Sequence, residues 1–184
     1  MSKTHRALGA SLLVLLATAA ILWLMGRPPL CTCGRVEVWG DVGPQQSQML
    51  FDWYSFSHVI HGILFYAVGA LLLKKVAVER RLLGATLLES AWELVENSPV
   101  IINRYREATI ALGYRGDSIL NSVSDILMMG VGFWLARRLP VWATVMLAVI
   151  LELIPLAVIR DNLTLNVWML LAPDNAIRHW QAGA

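Results

Sequence analysis

The chain has 184 residues, of which 57% are hydrophobic and 15% charged, and its mean hydropathy of +0.59 lies outside the range of soluble globular domains. This composition points to an all-α integral membrane protein and excludes an ordinary water-soluble enzyme. A net charge of +2, with no basic run or aromatic-basic patch of the kind nucleic acid requires, argues against nucleic acid as a partner.

The first apolar run, residues 7–25, follows Lys3, His5 and Arg6 and is long enough to span a hydrocarbon core. A signal peptide is the alternative. Its apolar region would be longer than the usual stretch of about 7 to 15 residues, and no A-x-A site precedes the turn Gly26-Arg27-Pro28-Pro29. The residues before Cys31 also lack the small side chains of a lipoprotein cleavage site, so a retained anchor is expected. Cys31 and Cys33 follow on the side read as periplasmic. A C-x-C pair is too close for a relaxed disulfide, which predicts free or intermolecular thiols, with a soft metal site or redox pair as the sharper reading.

Residues 26–52 read as a polar loop, and Trp53 and Tyr54 mark an interface before a second helix over 56–73. The basic segment KKVAVERR, residues 74–81, reads as a cytoplasmic loop. A third helix is predicted over 82–97, closed by Ser98-Pro99 because the residue before a proline disfavours helical geometry. A polar loop with Arg104, Arg106, Glu107 and Arg115 leads to a fourth helix over 117–136, stopped by Arg137-Arg138. The fifth covers 141–159, and the tail NVWMLLAP is too short to span and reads as an interfacial segment. No repeat or linker interrupts this order, so residues 1–184 form a single membrane domain of about five spans.

Five spans put the N-terminus in the cytoplasm and the C-terminus in the periplasm of a bacterial inner membrane. Lys and Arg then divide eight inside against seven outside, whereas failure of the third helix to span would give eleven and four. The five-span arrangement is preferred. It places the basic residues of both short loops inside at high density and gives the glutamates of ESAWELVENS, residues 89–98, a role at membrane depth.

Spacing decides which polar groups act together. Glu89, Glu93 and Glu96 stand at i, i+4 and i+7, a single helical stripe. His58 and His61 share a face of the second helix; Asp117, Asn121 and Asp125 share one of the fourth, beside Ser118 and Ser124; the fifth contributes Glu152. At about 1.5 Å per residue, His61 and Asp125 lie roughly 9 and 12 Å below the outer interface, while Glu93 and Glu152 stand roughly 16 Å above the inner one. Convergence in one layer predicts an outward-facing, water-accessible His/Glu/Asp pocket.

An ionised side chain at mid-membrane costs at least about 2.5 kcal/mol. Protonation, hydrogen bonds from His and Asn, an arginine or a bound cation can each relieve that cost. The expected catalytic set is His61, Glu93, Glu96, Asp117, Asn121 and Asp125. His58, His61 and Glu93 have the donors for a divalent metal ion such as zinc, manganese or iron, although the spacing matches neither H-E-x-x-H nor the E-x-x-H pairs of di-iron bundles. Without metal, His61 and one glutamate would serve as base and acid. Plainer roles exist: Asp117 after Gly116 suits a helix N-cap, Asn121, Ser118 and Ser124 suit interhelical hydrogen bonding, His58 can be solvated near the interface, and Glu89 is the expected packing partner. Arg104, Arg106, Arg115 and Arg160 near the outer rim suit a phosphate headgroup.

The segments FSHVIHGILFYAVG, WELVEN and GYRGDSILNS together resemble an uncharacterised bacterial inner-membrane family known by unknown-function labels, over most of the chain. More distantly the chain is similar to VanZ-like membrane proteins, whose helices carry D-K-x-x-H, E-x-x-Q and D-x-x-x-N. In that likeness His61 matches the motif histidine, Glu93 the glutamate, and Asp117 and Asn121 the final pair. Ser57 and His58 replace its Asp-Lys, and Glu96 replaces its Gln. The resemblance implies a small helical membrane fold and a link to the cell envelope, and it supplies no reaction.

The expected function is binding or processing of a lipid-linked envelope molecule at the pocket, among membrane lipids. A proton- or cation-coupled carrier and a non-catalytic assembly protein are the alternatives. A carrier would have to alternate access with five helices and no inverted repeat. Nothing in the sequence sets an oligomeric state.

Overall fold

A computed structural model describes residues 3–43, 45–109 and 113–183. Among the described residues the fold is all-helical: α1 (Lys3–Leu24), α2 (Ser55–Leu72), α3 (Val78–Glu96), α4 (Pro99–Ala108), α5 (Ile119–Arg138), α6 (Val141–Ile159), α7 (Leu163–Leu171) and α8 (Asn175–Gln181). Four of these, α1, α2, α5 and α6, are long and apolar enough to cross a membrane. The charged α3 is not among the four, although its 19 residues extend about 28 Å.

Three expectations about the elements need correction. The third helix starts at Val78 rather than Leu82, because Glu79, Arg80 and Arg81 are good helix formers and Glu79 lies in the first turn. The Arg81 side chain folds back onto the Val76 carbonyl at 2.8 Å. The polar loop after Ser98-Pro99 is mostly the helix α4: Pro99 ends α3 and also opens the next helix, where its missing N–H costs nothing, with Ser98 as N-cap. The tail forms two short helices, each capped by a polar side chain, Asn162 for α7 and Asp174 for α8.

The pairing of α2 with α5 organises the bundle. A Cβ on Gly62 would stand 1.9 Å from the Met129 carbonyl oxygen, and one on Gly132 would stand 1.9 Å from that of Val59. Two glycines thus let the backbones touch, the device that replaces hydrophobic drive between membrane helices. Val59, Ile63 and Ala136 pack along this seam, and Ala85, Ile126, Met129 and Phe133 carry the core across to α3. The helix α3 runs antiparallel to α2, with Gly69 beside Arg81 at one end and His58 beside Glu89 further along. On its other side it packs against α1.

The segment between α1 and α2 is clamped over the start of α5. Backbone N–H groups of Ser118, Ile119 and Leu120 donate to Ser47, Pro28 and Pro29 at 2.9, 2.8 and 3.1 Å. The Asn121 amide donates to the Met49 carbonyl at 3.1 Å. Cys31 and Cys33 are joined in a disulfide, against the expectation of thiols. A turn closed by Gly34 N–H on the Cys31 carbonyl brings their Cα atoms to 5.2 Å, an ordinary separation for a bridged pair.

Candidate functional site

The site begins with one line of side chains on α3. Glu89, Glu93 and Asn97 follow one another at i, i+4 and i+8 and are 0%, 1% and 2% exposed. They face α2 and α5, so protein rather than lipid surrounds them. From α2, His58 places Nδ1 2.6 Å from Glu89 Oε1, and His61 places its Nδ1 3.0 Å from the same oxygen. With Glu89 accepting, both rings carry the proton on Nδ1 and turn Nε2 away.

On its other edge His58 sets Nε2 3.7 Å from Asp125 Oδ2. Asp125 is fixed by Ser55, whose hydroxyl donates to Oδ1 at 2.9 Å. Glu93 Oε1 lies 3.6 Å from His58 Nδ1, beyond hydrogen-bond reach, and both Glu93 oxygens are buried without a hydrogen-bond partner.

Glu93 also borders a second acidic group. Glu96 stands one step round α3 and takes the Tyr105 hydroxyl of α4 at 2.9 Å. Asp117 accepts from the Tyr114 hydroxyl at 2.8 Å and from the Asn97 amide at 2.7 Å. Burial pushes the Asp117 carboxyl up from 3.8 to about 6, against the pull of those two donors. Burial likewise holds the Tyr54, Tyr105 and Tyr114 hydroxyls well above 10, so they remain donors. A polar cavity of about 30 Å³, lined by His58, Glu96, Tyr105, Tyr114, Asp117 and Asp125 among others, lies here. It has room for about two waters.

Three sets of ligand atoms lie within 4.8 Å of one another: His58, His61 and Glu89; His58, Glu93 and Asp125; and Glu93, Glu96 and Asp117. Of the expected catalytic residues, Glu93, Glu96, Asp117 and Asp125 are linked by these sets, while His61 joins only His58 and Glu89. Asn121 instead anchors the loop at Met49. Asp117 is not the N-cap of α5; that role belongs to Ser118, which accepts from Asn121 N–H at 3.1 Å and frees Asp117 for Asn97. Glu152 does not join the layer: its carboxylate turns to α7 and accepts from Thr164 N–H at 3.3 Å. The expected metal set of His58, His61 and Glu93 is also divided, since His61 turns to Glu89. Glu89, read as a packing partner, is the anchor of both histidines.

Asn97, Ser55, Tyr105 and Tyr114 are site residues that sequence reasoning does not single out. Asn97 alone among them is legible, as the third member of the Glu89–Glu93 line. Of the rim arginines, Arg104, Arg106 and Arg160 hold backbone carbonyls. Arg104 Nε donates to the Leu170 carbonyl at 2.9 Å, Arg160 Nη1 to Trp180 at 2.8 Å, Arg106 to Tyr114, and Arg27 to the carbonyl of Arg115. Among the described residues the only basic side chains within ion-pair distance of Glu89, Glu93, Glu96, Asp117 or Asp125 are the imidazoles of His58 and His61. Two imidazoles cannot balance five carboxylates, so the site calls for protons or added cations.

Residues 22–183 match a family described as a protein of unknown function, DUF2585. The chain is 54% identical to a UPF0314 protein of Sphingopyxis alaskensis, covering 100% of this chain and 97% of that one. A UPF0314 protein of Paracoccus denitrificans is 54% identical over 93% of this chain and 89% of its own. One from Sinorhizobium fredii is 57% identical over 87% and 82%. No solved structure matches. With its helical bundle and buried histidine and carboxylate cluster, the chain belongs to the DUF2585, or UPF0314, family.

Proposed function

We propose that this is a five-span inner-membrane protein, N-terminus cytoplasmic and C-terminus periplasmic, whose buried site opens toward the periplasm. It binds a divalent cation through His58, Glu93 and Asp125 and uses it to hydrolyse or transfer a group on a lipid-linked envelope molecule. The observation that carries the reading is Glu93, 1% exposed with both oxygens unpaired, between an imidazole and a second carboxylate. A buried carboxylate left this way is costly unless a proton or a cation meets it.

The surroundings support a metal more than a bare acid-base pair. A metal-ligating histidine commonly donates its other N–H to a carboxylate, the relation of His58 to Glu89. Mixed nitrogen and oxygen donors suit zinc, manganese or iron, and a metal-bound water is a nucleophile near neutral pH. The cavity beside the site, at the end covered by the loop between α1 and α2, supports access from that side. The distant VanZ likeness adds the envelope, through the positions His61, Glu93, Asp117 and Asn121.

Elemental analysis of the purified protein beside His58→Ala and Glu93→Gln, with envelope lipids profiled in cells carrying each variant, tests this reading. Bound transition metal in the parent, its loss in both variants and an altered lipid profile are expected. A metal-free parent with unchanged lipids in the variants overturns it. A carrier reading draws on the acids running from Glu89 through Glu93 to Asp117, and it would show as proton flux in vesicles that stops with Glu93→Gln.

A further inference from the structure

We propose that Glu93 bridges two cation positions, making the site binuclear: one cation on His58, Glu93 and Asp125, and a second on Glu93, Glu96 and Asp117. This inference rests on the reading above and extends it, since the second position uses oxygen donors alone.

The geometry begins with Glu93, which belongs to both groups of converging ligand atoms. It is 1% exposed, and neither carboxylate oxygen has a hydrogen-bond partner. Oε1 lies 3.6 Å from His58 Nδ1, the nitrogen that donates to Glu89; a single cation held with His58 Nε2 and Asp125 engages one Glu93 oxygen and leaves the other buried and bare. A second cation among Glu93, Glu96 and Asp117 removes that cost, and a bridging carboxylate holds two ions about 3.5 to 4 Å apart, the spacing of two-metal sites.

The second position is also built to hold its ligands still. Tyr114 and Asn97 donate to the two oxygens of Asp117 at 2.8 and 2.7 Å, and the Tyr105 hydroxyl stands 2.9 Å from Glu96 Oε1. Asn97 is itself fixed, accepting from Asp117 N–H at 2.7 Å while its amide reaches the Glu93 carbonyl at 3.1 Å. Such outer partners orient ligands and leave each carboxylate oxygen a free lone pair for a cation.

The donor sets predict different preferences. Carboxylates without nitrogen suit a hard ion, Mg²⁺ or Mn²⁺, while the His58 side accepts zinc, manganese or iron. Manganese fits both and supplies a spectroscopic probe. Glu96 and Asp117 line the polar cavity, as do His58 and Asp125, so open coordination positions of either ion face the same small space. That is where an incoming oxygen, from water or from a phosphate, would meet them.

The test is equilibrium dialysis of the full chain in detergent against Mn²⁺, read by elemental analysis and by electron paramagnetic resonance. Two ions per chain with an exchange-coupled signal are expected. Glu96→Gln with Asp117→Asn should halve the stoichiometry and leave an uncoupled signal. One ion per chain in the parent, lost with His58→Ala but unchanged by Glu96→Gln and Asp117→Asn, overturns the bridge and leaves the single-cation reading standing. Two ions without coupling overturn the bridge as well. No bound ion in the parent overturns both. The decisive numbers come from the parent protein, so a variant that fails to fold leaves the answer intact.

Discussion

The inner helices α2 and α5 and the outer helices α1 and α6 all have the length and composition of spans, yet they are solvated differently. In the most apolar stretch of each helix, 44% of the residues are buried in either inner helix, against 17% and 11% in the outer pair. Polar groups have moved inward with burial. His58, His61, Asn121 and Asp125 lie on the inner pair, while α6 carries only Glu152 as an ionisable group within its apolar run. A membrane bundle places its chemistry where protein replaces lipid as the solvent. It then needs close backbone approach to make that protein environment dry and rigid.

The sharpest way to break the contrast is to part the inner pair. Gly62→Ala or Gly132→Ala puts a methyl carbon 1.9 Å from a backbone oxygen that no rotamer can move. A loss of about 3 kcal/mol or more is expected, or failure to accumulate as folded protein. Gly130 lies two residues from Gly132 on the same helix, and a Cβ there meets nothing within 4 Å. Gly130→Ala should therefore be neutral or slightly stabilising. Thermal melting of the three variants in one detergent checks this, and equal losses at Gly130 and Gly132 would remove the helix contact as the cause.

A smaller but still large effect is expected at the anchor of the two histidines. Glu89→Ala strips both imidazoles of their acceptor inside a buried site and should cost about 3 kcal/mol. Since His58 and Glu89 share that interaction, adding His58→Ala should cost much less than it does alone. Additive losses in the double variant would mean that the pair acts through separate contacts.

Much of the site was legible in the sequence because helical spacing fixes which side chains share a face. The stripe of glutamates, the His-x-x-His pair and Asp125 are all where periodicity puts them. Partner choice was not legible. Whether His61 meets Glu89 or Glu93 depends on how α2 and α3 are rotated against each other, and no single-helix pattern contains that angle. Glu152 illustrates the same limit: its depth matched the layer, but its direction around α6 points to α7. The charges Arg104, Arg106 and Glu107 masked the apolar face of α4, formed by Ile102, Tyr105 and Ala108, and the two arginines serve backbone carbonyls.

The smallest effect is expected on the outer pair, at Glu152→Gln. This carboxylate accepts one long bond, 3.3 Å from Thr164 N–H in the first turn of α7, and its other oxygen is unbonded. A glutamine oxygen can keep the bond. What is lost is the attraction of a negative charge for a helix N-terminus, about 0.3 to 1 kcal/mol. Removing a charge from the apolar helix α6 offsets that loss, so the melting temperature should move little in either direction. Cation content should not change at all, in contrast to Glu93→Gln. Both carboxylates have an unbonded oxygen, so the pair isolates the variable that matters: whether protein ligands converge on the acid. A loss of bound cation in Glu152→Gln equal to that in Glu93→Gln would show that convergence of ligands does not decide which acid holds the cation.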